Sequence, residues 1–405
     1  MERTVVSIDV GTTKVCTLVG EVDEEGALSI VGVGVAPSKG LRKGVVVNVS
    51  ETTEAIAASV EKAERISGYQ IGRAHVGVAG AHISSFNSRG VVAISRGHSI
   101  IQDDVSRVMS AALAIAIPHN REVIHIIPRG YTVDGQDGVR DPLGMHGFRL
   151  EVEAHIITGA ATSIHNLVKC INQVGIEIDE LVLAPLASGE AVLTDNEREM
   201  GVVLADIGGG TTDMAVFIEG SIWHAVVLPI GGNHLTNDVA VGLRAPFATA
   251  EEVKEKYGYA RSEGIPADET VDVAVFGGDS RQTISRRVLS KIIEARAAEI
   301  FSLMLQEVKR SGYDGLLPAG VVLCGGTAQL AGIRELGREI MQLPARIGVP
   351  GDLRGLVDVL CSPAYATGVG LLQWGLREEA ALPPRERPGG LWQRVVQWLR
   401  SFLPG

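Results

Sequence analysis

Aromatic residues are scarce, at 4% of 405, so any core must be built from aliphatic side chains. The four cysteines, Cys16, Cys170, Cys324 and Cys361, stand far apart with no CxxC pair. That spacing speaks against a disulfide framework and is expected of free thiols in a reducing compartment. No run approaches the roughly 20 apolar residues of a spanning helix. No charged-then-apolar leader precedes residues 4–10, which already read as a buried strand, so a cytosolic or peripheral protein is expected. Positive charge is in deficit, with 37 Lys and Arg against 48 Asp and Glu and a net charge of −11. General nucleic-acid binding, which needs a basic field, is thereby disfavoured. An anionic membrane would repel the whole body, so any membrane contact must be local.

What is present is a full globular composition, 45% hydrophobic and 21% charged, with 49 glycines to turn the chain tightly. The length suggests two to four compact units. Residues 4–10, 15–22 and 28–35 read as consecutive strands. Residues 51–67 show helical spacing with Thr53 as a plausible cap, and 74–79 read as a further strand. This is α/β layer architecture. From 84 to 157 the texture changes: strand-like 91–95, helix-like 103–115, strand-like 122–128, a turn-rich stretch over 134–147 and strand-like 150–158. An inserted unit is expected there. Helices follow at 162–174, 234–242, 249–257, 285–310 and 327–342, with a buried strand at 319–324. Residues 376–390 (LREEAALPPRERPGG) have the composition of a flexible linker.

The chain repeats one piece of chemistry. Residues 5–14 read VVSIDVGTTK and residues 202–213 read VVLADIGGGTTD. Each is an apolar strand ending in Asp, then glycine, two threonines and a charged residue that opens the next strand. Two such hairpins suggest two related lobes facing across a cleft. Glycines let backbone N–H groups approach a polyphosphate closely, and threonine hydroxyls add donors. A carboxylate at a strand end is placed to hold the water shell of Mg²⁺, and Lys14 would offset phosphate charge. A third glycine turn, Gly325, Gly326 and Thr327, stands between a strand and an expected helix, a setting for adenosine and phosphate contact. Gly231 and Gly232 begin a weaker junction of the same kind.

The tail carries a separate signal. At about 100° per residue, Leu391, Trp392, Val395, Val396, Trp398, Leu399, Phe402 and Leu403 fall within an arc of roughly 160°. Gln393, Arg394, Gln397, Arg400 and Ser401 fill the remainder. Trp and Phe opposite Arg is the composition of a helix lying in a membrane interface. Arg394 and Arg400 would attract anionic lipid.

These segments resemble the actin-like ATPase superfamily, and most of the chain resembles its FtsA family of bacterial cell-division proteins. SIDVGTTKV, LAPLASGEAVL, ADIGGGTTD, PIGGNHLTNDVA (229–240) and CGGTAQLAGI carry the likeness. It implies an α/β, actin-like, duplicated ribonuclease H-like fold of two lobes, with an inserted α/β subdomain 1C and a C-terminal amphipathic helix. It implies ATP or ADP with Mg²⁺. The first phosphate role falls to Asp9, Gly11, Thr12, Thr13 and Lys14. The second falls to Asp206, Gly208, Gly209, Gly210, Thr211, Thr212 and Asp213, and the adenosine role to Gly325, Gly326 and Thr327. Glu251, Lys254 and Glu255 are candidates for ribose and base, or equally a solvated helix face. Asp9 and Asp206 would hold Mg²⁺ through water.

By the same resemblance, subdomain 1A spans 1–83, 158–200 and 358–375, 1C spans 84–157, 2A spans 201–240 and 309–357, and 2B spans 241–308. The linker 376–390 and membrane helix 391–403 follow. The implied partners are the C-terminal peptide of FtsZ, further copies of the chain in an actin-like polymer, membrane lipids, and later division proteins through 1C. The implied place is the cytoplasmic face of the membrane at the septum. Arg286, Arg287, Lys291 and Arg296 could face an acidic peptide, or equally form a solvated helix face. One departure bears on mechanism. Hydrolytic relatives carry Glu before Pro in the connecting helix, where this chain has Ala184 before Pro185, so any ATP hydrolysis is expected to be slow. Glu190, about two turns on, is spaced poorly to replace it. A pilus-assembly adaptor of the PilM type and a chaperone-like ATPase are the rival readings.

Overall fold

The computed structural model describes residues 3–23, 25–95, 99–114, 117–277, 281–351 and 353–381. Two sheets with the same strand logic organise it. In the first, the strands lie in the order Glu177–Leu183, Arg73–Val78, Arg3–Val10, Lys14–Val22, Leu28–Pro37 and Arg354–Gly355. In the second the order is Ser221–Leu228, Thr212–Ile218, Val202–Ile207, Val321–Cys324 and Ala345–Ile347. Each Asp-ended strand pairs antiparallel with its hairpin partner on one side and parallel with a crossover strand on the other. Asp9 lies opposite Cys16, and Asp206 opposite Asp213. The central strands are apolar on both faces because helices cover both sides, as parallel pairing requires. One aliphatic core fills the first lobe and runs on under one face of the second sheet through Leu204, Ala215 and Val322, and another covers that sheet's opposite face. The fold is α/β and actin-like, as the motifs led one to expect.

The inserted unit is a four-stranded sheet, Ser84–Ala93, Arg149–Ala160, Arg121–Val133 and Gln136–Val139, with the helix Gln102–Leu113 against it and a small core of its own. The turn-rich 134–147 therefore holds a short strand. Gly90 is needed here, because a Cβ would strike the Val108 carbonyl of the covering helix. The unit docks on both lobes. His125 Nε2 accepts from the Leu183 N–H at 3.0 Å, and Ser85 Oγ donates to the Ala225 carbonyl at 2.7 Å.

Three expectations need correction, and one strand is additional. The first long helix spans Val49–Ser67 and is capped by Asn48, not Thr53. Thr53 lies inside it and donates to Gln173 Oε1. Helix 327–342 is instead a 3₁₀ turn, Gly326–Gln329, followed by a helix over Ile333–Met341, because Gly332 takes φ 80° between them. Residues 376–381 of the expected linker belong to a helix, Ala366–Ala381, since LREEAA is good helix sequence, and its remainder, 382–390, lies outside the described residues. The strand Glu177–Leu183 was not foreseen; it feeds directly into the helix Ala184–Val192. That helix and Ala366–Ala381 touch backbone to backbone, for a Cβ on Gly370 would overlap the Ala187 carbonyl. The amphipathic segment 391–403 lies outside the described residues.

Candidate functional site

The two Asp-Gly-Thr hairpins face each other across a cavity of ≈ 610 Å³. From the first hairpin, Asp9, Gly11, Thr12, Thr13 and Lys14 line it. From the second come Asp206, Gly208, Gly209, Thr211 and Asp213. Gly232, Glu251, Lys254 and Glu255 form another wall, and Gly325, Gly326 and Thr327 a third. Gly210, Thr212 and Gly231 stand behind this lining. Thr212 Oγ1 donates to the Ile230 carbonyl, and a Cβ on Gly231 would meet the Gly208 carbonyl at 2.5 Å, so these residues hold the turn rather than face the space.

The hairpins interlock. The side-chain space at Gly210 is filled by Thr12, and that at Gly209 by Thr13. Thr12 Oγ1 also accepts from the Gly44 N–H at 3.3 Å. On the far side, Thr327 Oγ1 donates to the Gly208 carbonyl at 3.2 Å, which ties the third glycine turn to the second hairpin. Gly325 has φ 83° and its side-chain space is occupied by Asp206 Oδ1, so no other residue fits. Lys254 Nζ donates to Glu251 at 2.8 Å and to Thr236 Oγ1 at 3.0 Å, a fixed pair rather than a mobile face.

Negative charge in the cleft is only partly offset. Burial pushes the Asp9 carboxyl up to about 7, with Lys14 opposing. Burial and the neighbouring Asp206 push Asp213 up to about 7. Asp206 is raised by burial, opposed by hydroxyls from Ser188 and Thr367. Asp213 Oδ2 accepts from Thr211 Oγ1, while its buried Oδ1 has no partner. Lys14 stacks its ammonium over Tyr365, 3.2 Å from the ring centroid, and burial lowers its pKa. Three carboxylates with one depressed lysine suit a cation. Among the described residues, no group of three His, Cys, Asp or Glu side chains stands close enough to hold a metal ion directly. Asp9 and Asp206, buried carboxyls on the cavity wall, have the chemistry to hold a cation through its water shell.

Residues not anticipated also line the space, among them Gly44, Asn233, Gln329 and Thr367. Ala184 lines it too, at the expected place. Glu190 points away: its buried carboxylate pairs with Arg198 Nη1 at 2.8 Å and with Arg377. The basic residues of the long helix Arg286–Ser311 are mostly occupied. Arg286 donates to the Tyr257 carbonyl and Glu269, Arg287 to the Ile265 carbonyl, and Arg296 to Asp238 and Glu299. Only Lys291 of the four is exposed. Among the described residues, no helix is long and apolar enough to cross a membrane.

A family model described as "Cell division protein FtsA" matches residues 203–370, and one described as "SHS2 domain inserted in FTSA" matches residues 80–158. The chain is 46% identical to the cell division protein FtsA of Pseudomonas aeruginosa, over 93% of this chain and 90% of that protein. It is 41% identical to that of Neisseria meningitidis, over 99% of each, and 36% identical to that of Escherichia coli K12, over 98% of each. Among solved structures, the PilM–PilN type IV pilus biogenesis complex superposes with a TM-score of 0.68 at 14% identity, covering 92% of this chain and 98% of that one. MreB5 of Spiroplasma citri bound to ADP gives 0.57 at 14%, covering 94% and 99%. Both likenesses are of fold alone.

Proposed function

Given that the chain belongs to the FtsA family of cell-division proteins, we propose that it is a nucleotide-gated membrane tether for the division ring. The observation that carries the reading is the pair of Asp-ended hairpins interlocked around one cavity. Mg-ATP is the ligand. A polyphosphate lies against the turn Gly208–Gly209, which lines the cavity, and Lys14 supplies positive charge beside it. Asp9 and Asp206 orient the waters of the cation. Gly325, Gly326 and Thr327 take the adenosine, with Glu251, Lys254 and Glu255 beside the ribose and base. Bound Mg²⁺ supplies charge neutralisation between phosphates and carboxylates. Ala184 offers a methyl group where hydrolysis would want a base, so turnover is slow.

Binding draws the two lobes together, and closed copies polymerise. The segment 391–403 lies in the headgroup region through Leu391, Trp392, Val395, Trp398, Leu399, Phe402 and Leu403. One such helix holds weakly, and many copies on a polymer hold strongly through effective concentration. The C-terminal peptide of FtsZ docks on subdomain 2B, over about 241–308, and later division proteins dock on the inserted unit. The place of work is the cytoplasmic face of the membrane at the septum.

The test is vesicle co-sedimentation of the intact chain and of a chain cut at residue 388, each with and without Mg-ATP. The intact chain alone should pellet, and more strongly with Mg-ATP. Equal pelleting of both forms, or of neither, rules out the tail as the anchor.

A further inference from the structure

Asp206 is held by two hydroxyls from helices that the hairpin motif does not contain. Ser188 Oγ donates to Asp206 Oδ2 at 2.6 Å, and Thr367 Oγ1 donates to the same oxygen at 2.9 Å. Ser188 and Thr367 are themselves 2.9 Å apart. Two hydroxyls carry two protons, so an ionised Asp206 takes both at Oδ2. Oδ1 lies against Gly325, a lining residue of the cavity, and the weakly donating Cys324 thiol also stands beside the carboxyl. Ser188 sits in the helix Ala184–Val192, whose first residue lines the cavity, and Thr367 lines the cavity from the second residue of Ala366–Ala381. The two helices are in backbone contact at Ala187 and Gly370, which fixes the distance between the hydroxyls.

A buried carboxylate needs donors in any fold. Convergence of both donors on one oxygen does more than satisfy it, because it sets which oxygen is presented to the cleft. Resting on the nucleotide reading above, we propose that Ser188 and Thr367 are positioning residues that lock Oδ2 of Asp206, so that Oδ1 alone is offered to a hydrated divalent cation. The gain in nucleotide affinity that the cation brings then depends on both hydroxyls.

The measurement is calorimetric titration of the full chain with ATP, in Mg²⁺ and again in EDTA. The variants are Ser188→Ala, Thr367→Val and Thr367→Ser, with the thermal unfolding of each recorded without ligand. Ser188→Ala and Thr367→Val should each lose about 10-fold in affinity in Mg²⁺, as expected for a lost hydrogen bond to a charged group, and change less than about two-fold in EDTA. Thr367→Ser keeps the hydroxyl and should behave as the parent. If both variants bind alike to the parent in Mg²⁺, or lose equally with and without it, the hydroxyls only solvate a buried charge and the proposal is overturned. Should Thr367→Val unfold, Ser188→Ala against Thr367→Ser decides by the same split. If the parent binds ATP with no effect of Mg²⁺, this inference falls while the nucleotide reading stands. If the parent binds no ATP, the nucleotide reading itself fails and carries this one with it.

Discussion

Thr13 Oγ1 occupies the place where the first carbon of any side chain at Gly209 would have to go. The two residues belong to different lobes, so the lobes meet through a missing side chain. Gly209→Ala must push Thr13 aside and pry the hairpins apart at the phosphate end. ATP affinity should drop more than about 10-fold, by the steric cost of overpacking. Unchanged affinity by calorimetry would sink the placement of phosphate between these turns.

The raised carboxyls make stability depend on pH in a definite sense. Asp213 is harder to ionise folded, near 7, than its ordinary 3.8. Its folded-state advantage is therefore present below 3.8 and lost as pH rises through 7. Asp213→Asn should raise the melting temperature of the ligand-free protein at pH 8 by about 2 °C or more, and the difference should vanish towards acid. Comparing the two proteins at each pH cancels His82 and His125, held down to about 4, which act in the opposite sense below 6.5. A difference that is flat from pH 5 to pH 8.5 contradicts the assignment.

Ala184 opens its helix at the cavity wall and is buried. A carboxylate at a helix N-terminus is electrostatically favoured. Ala184→Glu should raise phosphate release from ATP at least about 10-fold, the lower side of what a placed base contributes. ATP affinity should stay near the parent value. No gain in turnover would mean that slow hydrolysis has another cause.

Arg198 and Glu190 form a buried pair, with Arg198 also donating to the Gly189 carbonyl at 2.7 Å. Arg198→Met leaves Glu190 with the more exposed Arg377 alone. The expected loss is about 3 kcal/mol, read from the urea midpoint. A loss below about 1 kcal/mol would show that Arg377 suffices.

Arg286 and Arg287 are tied to Tyr257, Glu269 and Ile265, and Arg296 to Asp238 and Glu299, whereas Lys291 is exposed. If the long helix receives an acidic peptide, Lys291→Glu should weaken that binding several-fold with melting unchanged. Arg296→Ala should instead lower the melting temperature, because Asp238 loses its partner. Fluorescence anisotropy of a labelled FtsZ C-terminal peptide and a thermal melt separate the two. Insensitivity to Lys291→Glu moves the peptide elsewhere.

The hairpins were legible because their chemistry is local: Asp, glycine and threonine stand side by side in the chain. Ser188 and Thr367 were not, because a serine and a threonine on two helices mean nothing until Gly370 lets those helices touch. Thr53 is the expected cap rather than Asn48 because the apolar spacing starts at Ile56, although Val49–Glu51 are already helical. Composition starts the linker six residues too early, at 376 although Ala381 is still helical, for a similar reason. Prolines and charges were averaged with LREEAA, which by itself prolongs the preceding helix.

The docking of the inserted unit also governs which contacts the molecule can make. Through His125 it covers the strand Glu177–Leu183, and through Ser85 the strand Ser221–Leu228, which are the outer strands of the two main sheets. The opposite margins are Arg354–Gly355 and Ala345–Ile347, too short to template another strand. The second sheet is closed in this way, but in the first Arg354–Gly355 pairs only with Ser29 and Ile30, so the rest of Leu28–Pro37 has no further strand beside it among the described residues. Where copies of the chain meet through side-chain surfaces instead, the strength of the joint is set residue by residue and it parts without breaking a ladder of backbone hydrogen bonds.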